Sequence, residues 1–317
     1  MHSKSFRLPE EVPPLLRTLI EQFAADMLRV RSVASETAHI EVLYLIRFFR
    51  YFDFPGSAEK LAHVVSAESI RGFLHDYAAT HKPGSIRWIQ ISIRSFFRFA
   101  YRSELFDRDF SALVPVMGIR RLGMIPRGFP EEIIARLRRE IDRSSPAGMR
   151  DAAMICLLAI YGVRGVQVRR LRLEDIDWYN ERIYFPAAKG GRAIEQHLMP
   201  EAGNLLSKYI RQARPKSEHS EIFLTLSEPA VPFPCSSYLS NVIKRRINER
   251  KLELPEGVSP GTYGFRHAFA CRMVGKIPFK DLVDQLGHRD PASTLIYGKV
   301  DLDALSQAAL PWPGGGQ

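Results

Sequence analysis

The chain has 317 residues, 45% of them hydrophobic, which is enough for two domains of ordinary size with a substantial core. Its formal net charge of +10, from 45 Lys+Arg against 35 Asp+Glu, favours a polyanionic partner, nucleic acid first. The three cysteines (Cys156, Cys235 and Cys271) fall at no metal-ligand spacing, and an odd number is no disulfide framework, so a reducing cytosol is expected. The opening MHSKSFRLPEEVPPLL lacks the apolar core of a signal peptide, and no apolar run reaches membrane-spanning length. A cytoplasmic protein with no membrane partner is expected.

The first 115 residues read as helices. Leu15, Leu19, Phe23 and Met27 form one stripe over 14–31, and a second helix starts at Ser35 (SETAHIEVLYLIRFFRYF). A third covers 68–80. The fourth, 85–101, sets an apolar stripe of Ile86, Ile89, Ile93 and Phe97 against Arg87, Arg94 and Arg98, which lie near one another beside Trp88. Four such helices make a small bundle. The arginine face suits a phosphate backbone, and it equally suits a solvated basic surface. Residues 116–130 (VMGIRRLGMIPRGFP) mix Gly, Pro and Arg without period and read as a linker.

Beyond the linker, helices are expected over Pro130–Ile141 and Met149–Tyr161, the latter almost wholly apolar and therefore central. Gly162 ends it, and Arg164 follows. Arg182–Ala187 and Ala193–Met199 read as paired strands around a K-G-G-R turn with Lys189 at its tip. If their segment is extended, Asp175 and Asp177 would share a face, but no third ligand accompanies them; they read as surface or capping residues, and no metal is expected. A helix from Pro200 to about Arg214 precedes a short apolar piece, Ile222–Leu224, and a proline-rich loop. The helix over 236–251 carries Arg245, Arg246, Arg250 and Lys251 near its end, placed either to contact DNA or to offset the helix's last carbonyls.

The last sixty residues hold the run that the rest serves. Ser259 and Pro260 are expected as N-cap and first residue of a helix. On it Tyr263 and Arg266 lie one turn apart, with Phe265, Phe269 and Met273 on another face. A second helix follows, with Phe279, Leu282 and Leu286 as its buried stripe and Gly287 as its stop. His288 projects just past that stop, and Asp290-Pro291 open a third short helix carrying Tyr297. An arginine, an imidazole and a phenol placed together suit phosphate chemistry: a cation for the oxyanion, a donor and a nucleophile.

This order resembles the tyrosine recombinases, the phage-integrase family, whose motif is H-x-x-R, then L-G-H, then a tyrosine nine positions on. Tyr263-Gly264-Phe265-Arg266, Leu286-Gly287-His288 and Tyr297 stand at those places. YGVRGVQVRRLRLEDIDW is similar to the family's first motif and makes Arg164 its arginine; the family's hairpin lysine falls on Lys189, with Arg192 as the fallback if the register is shifted. The resemblance implies a mainly α protein with a small β-sheet (α+β), in which a helical DNA-clamp domain (1–115) is joined by a linker (116–129) to a catalytic domain (130–300). A tail (301–317), striped by Leu302, Leu305 and Ala309, would dock on a neighbouring protomer.

The implied activity is site-specific DNA recombination without metal or cofactor. A nucleoid-associated homotetramer would act on double-stranded DNA with inverted half-sites, through a covalent 3′-phosphotyrosine on Tyr297. Arg164, Lys189, Tyr263, Arg266 and His288 would be its other catalytic residues, and Arg87, Arg94, Arg98, Arg192, Arg245 and Arg246 its DNA contacts. Two residues depart from the family. Gln167 stands where an acidic residue usually orients the arginine, and Tyr263 stands where histidine is usual. Tyr263 is expected to keep a phosphate hydrogen bond and to leave the proton of Tyr297 to water or His288; His267 is expected to be structural. A type IB topoisomerase-like enzyme and a DNA-binding accessory protein that has lost catalysis are the alternatives.

Overall fold

The computed structural model describes residues 8, 10, 12–54, 58–116, 126–188 and 190–300, and the chain divides into two units, Met1–Ile119 and Arg120–Gln317. Lys189 and the tail from Asp301 onward lie outside the described residues.

The first unit holds five α-helices among its described residues: α1 (Pro14–Arg29), α2 (Ser35–Tyr51), α3 (Ala58–Val64), α4 (Ala67–Thr80) and α5 (Pro83–Arg102), then a 3-10 turn, Phe110–Leu113. α3 was not expected; seven residues are too short to display a full apolar stripe. Within α1 the buried stripe is Leu16, Leu19, Ile20, Phe23 and Met27, while Leu15 points outward, one position off the expected face. Adjacent phenylalanines, Phe48-Phe49 on α2 and Phe96-Phe97 on α5, widen each apolar face past a single stripe and let these two helices pack along each other. Edge-to-face contacts dominate: Phe23 to Phe96 at 5.6 Å and 87°, and Phe49 to Phe96 at 5.2 Å and 85°. Each such pair contributes about 0.5–1.5 kcal/mol beyond area burial.

The second unit is built around α7 (Pro146–Tyr161), of which almost every residue is buried. It starts three residues before the expected Met149, because Ser145 Oγ accepts the Gly148 N–H at 3.1 Å and Pro146 needs no donor at N1. α6 (Glu131–Glu140) and α9 (Pro200–Gln212) pack on α7, and α8 (Gly165–Arg169) follows it. The end of the expected linker belongs to this core: Phe129 is buried edge-on against Phe265 at 4.8 Å, and its N–H donates to the Gly264 carbonyl at 3.0 Å.

A three-stranded antiparallel sheet, β1 (Ile176–Asp177), β2 (Arg182–Phe185) and β3 (Ile194–His197), has Arg182 opposite His197 and Phe185 opposite Ile194. β1 was not foreseen, and the loop between β2 and β3 runs from 186 to 193, wider than K-G-G-R. Asp175 and Asp177 cap local turns, accepting from the N–H groups of Arg172 and of Tyr179 and Asn180. α10 (Ser236–Glu249), α11 (Thr262–Met273) and α12 (Phe279–Gln285) complete the unit. No helix among the described residues is long and apolar enough to cross a membrane.

Candidate active site

Four elements of the second unit bring the expected C-terminal residues together with Arg164. α11 begins at Thr262 with Gly261 as N-cap, two residues later than Ser259 predicted, because the Gly261 N–H turns back onto the Ser259 carbonyl at 2.8 Å. On this helix Arg266 is buried (3% exposed), whereas Tyr263, one turn earlier, is half exposed at the rim. α12 buries Leu282, Val283 and Leu286, and Phe279 stays exposed. At its end Gly287 takes a φ of +60° and donates to the Asp284 carbonyl, while the His288 N–H donates to that of Val283. This pair of bonds ends the helix and turns the imidazole inward. A side chain on Gly287 would be strained there and would press on Ile194. Tyr297 lies on a 3-10 turn, Leu295–Val300, preceded by a second 3-10 turn, Pro291–Ser293, in place of one short α-helix.

The arginines are held by carbonyls. Arg266 donates to the carbonyls of Gly162 at 3.0 Å and Leu286 at 2.7 Å; Arg164 donates to those of Leu286 and Gly287, both at 3.4 Å. Neither forms an ion pair among the described residues. Burial, then the Arg164 charge, pulls the Arg266 guanidinium down to about 10. Gln167, fully buried, accepts the backbone N–H of Arg164 at 3.0 Å and donates to the Pro186 carbonyl at 3.0 Å. It therefore fixes the main chain at Arg164, not its guanidinium. The hairpin loop closes on the same place: a Cβ on Gly191 would overlap the Gly287 carbonyl oxygen.

His288 meets Arg266 and Thr294. An arginine only donates, so Arg266 Nη2, at 2.7 Å, makes Nε2 of His288 the acceptor; Nδ1 then carries the proton and donates to Thr294 Oγ1 at 2.6 Å. Burial, then the two arginines, pushes His288 down to about 4, so it is neutral. With both nitrogens engaged, His288 orients Arg266 and has no lone pair for the phenol.

Tyr297 is 3% exposed, packed with Phe269, Leu282 and Leu286, and its hydroxyl meets Nδ1 of His267 at 2.8 Å. Burial raises this phenol to about 12, against the pull of Arg266 and Arg164. Thr294 was not singled out in the sequence, and His267, expected there as structural, lies against the Tyr297 hydroxyl. His267 could have been suspected, since it stands four residues after Tyr263 on the same helical face; Thr294 carries no such signal.

The expected DNA contacts are scattered. Arg192 is exposed and lines a cavity of about 330 Å³ with Asp281, Asp284 and His288. In the first unit Arg94 and Arg98 line a cleft of about 590 Å³ with Arg31 and Arg102, and Arg94 donates to the Pro115 carbonyl at 3.0 Å; Arg87 is exposed. Arg245 and Arg246 are committed elsewhere: both bond the buried carboxylate of Asp151, at 2.8 and 2.9 Å, and Arg246 also bonds Glu249 at 2.8 Å. Arg150 bonds the other oxygen of Asp151, and Arg245 and Arg246 complete the pairing of this buried carboxylate, a structural task.

The phage integrase family model matches residues 129–303, more than half of the chain. An integrase/recombinase of Sinorhizobium fredii, y4rA, is 32% identical over 307 residues, covering 96% of this chain and 73% of that protein. The tyrosine recombinase XerD of Listeria monocytogenes is 24% identical, covering 90% of this chain and 95% of its own length. Among solved structures, the XerH site-specific recombinase bound to palindromic difH substrate superposes with a TM-score of 0.69 at 18% identity, over 91% of this chain and 83% of that one. A lambda integrase dimer on a COC′ core site gives 0.65 at 17%, over 89% and 94%. These two likenesses are of fold. The chain belongs to the phage integrase family and is a tyrosine-type site-specific recombinase.

Proposed function

We propose that the chain cuts and rejoins double-stranded DNA through a covalent 3′-phosphotyrosine on Tyr297. One observation carries this reading: Arg164 and Arg266 are packed together beside the phenol, held among the described residues by neutral acceptors, main-chain carbonyls and the His288 imidazole. Two guanidinium forks without a carboxylate match the oxygens of a phosphodiester. The Tyr297 oxygen attacks phosphorus, the bond to the 5′ oxygen breaks, and Lys189 protonates the leaving oxygen. The phosphotyrosine keeps the bond energy, so a 5′ hydroxyl from another strand reverses the step and completes exchange. Tyr263, exposed at the rim, donates to a phosphate oxygen. Residues 1–115 clamp the duplex with Arg87, Arg94 and Arg98, and Arg192 follows the backbone near the site. A tetramer assembles on inverted half-sites with the tail docked between protomers; the related lambda integrase has been solved as a tetramer on a Holliday junction.

The test uses the full-length protein and a pool of nicked duplexes randomised over the binding site. A covalent adduct is expected on a denaturing gel, and sequencing the trapped DNA gives the target. Tyr297→Phe is expected to bind the recovered DNA near-normally and to form no adduct. A wild-type protein that binds but never joins would be an accessory protein. One that relaxes supercoils without joining a second duplex would be topoisomerase-like.

A further inference from the structure

The reaction requires that the Tyr297 phenol lose its proton, and the residues gathered around it leave few acceptors. Both nitrogens of His288 are engaged, by Arg266 and Thr294. Tyr263 is itself a phenol and a poor base near pH 7. Lys189 is needed as an acid on the opposite oxygen.

His267 remains. Its Nδ1 lies 2.8 Å from the Tyr297 oxygen, and the two rings lie 5.6 Å apart. Among the described residues this nitrogen is the hydroxyl's hydrogen-bond partner. A buried O–H needs an acceptor, so the proton points at Nδ1 and the ring's own N–H sits on Nε2. Burial and the adjacent Arg266 hold the His267 pKa below the usual histidine value, which keeps the imidazole neutral and its lone pair available.

We propose that His267 is the proton acceptor for the nucleophile, a role resting on the proposed phosphotyrosine chemistry. As Tyr297 attacks, its O–H bond breaks and the proton passes to Nδ1 of His267. The oxygen's electron pair forms the bond to phosphorus, and the bond to the 5′ oxygen breaks, that oxygen taking its proton from the general acid. On rejoining, imidazolium returns the proton as the phenol leaves. The departure at Tyr263 is thereby offset four residues later on the same helix: the rim phenol serves the phosphate, and His267, whose ring lies 6.1 Å from Tyr263, serves the nucleophile.

The experiment measures single-turnover adduct formation on the nicked-duplex pool, with wild type and His267→Asn. Asparagine keeps an acceptor oxygen near the Nδ1 position but has no basicity. The charged and titratable groups facing His267 are Arg266, Tyr263 and Cys271 from its own helix and Tyr297 from the closing turn. The variant is expected to bind DNA as wild type does and to react about 10²- to 10⁴-fold more slowly at pH 7. Its rate should then climb about tenfold per pH unit, because the phenol must ionise unaided, while the wild-type rate stays level. Adduct formation at the wild-type rate, or a slow rate with the wild-type pH dependence, overturns the proposal. If wild type forms no adduct, the phosphotyrosine reading falls first.

Should His267→Asn lower DNA affinity or melting temperature, fluorination of Tyr297 to 3-fluorotyrosine with His267 intact decides the matter. Assisted transfer leaves the rate within about threefold. Unassisted ionisation of the more acidic phenol raises it about tenfold or more, which overturns the proposal.

Discussion

The second unit buries arginines in two places and treats them in opposite ways. At the start of α7, Arg150 (3% exposed) packs over Phe233 and donates to Asp151 Oδ1 at 3.0 and 3.1 Å, while Arg245 and Arg246 donate to Oδ2 of the same carboxylate. At the other end of α7, Arg164 and Arg266 share carbonyls and meet no carboxylate among the described residues. The first cluster is electrostatically closed and locks helices together. The second is open, and its unmet charge is available to a phosphate. An ion-paired arginine makes structure; an arginine held by neutral acceptors makes a binding site.

Breaking the closed cluster should give the largest effect. Asp151→Asn leaves three guanidinium groups around a neutral amide and is expected to destabilise the protein by about 3–5 kcal/mol, read by urea unfolding. Cleavage by the fraction that remains folded should be little changed. Arg266→Met should invert that pattern: adduct formation falls about 10²- to 10³-fold with loss of a phosphate donor, while the melting temperature holds or rises because a desolvated charge is gone. A drop in melting temperature as large as that of Asp151→Asn would erase the distinction between the two clusters.

Acid should act on the open cluster through His288. Its folded pKa, about 4, lies below the value of about 6.5 expected for the unfolded chain. The unfolded state therefore takes up the proton first as pH falls. The stabilisation from neutral His288 is complete above about pH 6.5 and is lost toward pH 4, on the order of 3 kcal/mol. His267, also lowered, adds in the same direction. Stability measured from pH 7 to pH 4 should show this slope, and His288→Gln should flatten it. The smallest effect concerns Gln167→Ala, which frees the Arg164 N–H and the Pro186 carbonyl. A loss of about 1–3 kcal/mol is expected, with a parallel decrease in cleavage. Gln167→Glu should restore only part of the loss, since a carboxylate still accepts the Arg164 N–H but cannot donate to Pro186.

Much of this was legible in the residues. Gly162 and Gly287 end their helices in the left-handed conformation, as glycine after an apolar stripe suggests. The ordered Arg266, His288 and Tyr297 do meet in one unit. What was not legible is tertiary. Whether Arg246 faces solvent or Asp151 depends on two helices 95 residues apart in sequence meeting at one carboxylate, which no local period records. Which groups His288 meets could not be read either, because its tautomer is set by Arg266, 22 residues away. Leu15 and Phe279 were placed inside by periodicity alone; packing buried Leu16, one position on from Leu15, and Val283, one turn on from Phe279.

The end of α12 bears on the ionic character of the whole site. The Leu286 carbonyl that receives both arginines, and that of Gly287 beside it, belong to the last turn and stop of that helix, where aligned peptide dipoles leave a partial negative charge. Peptide dipoles act here as a counterion that cannot be protonated and does not repel an arriving phosphate as a full carboxylate would. Near neutral pH the guanidinium pair thus keeps its carbonyl contacts and its charge.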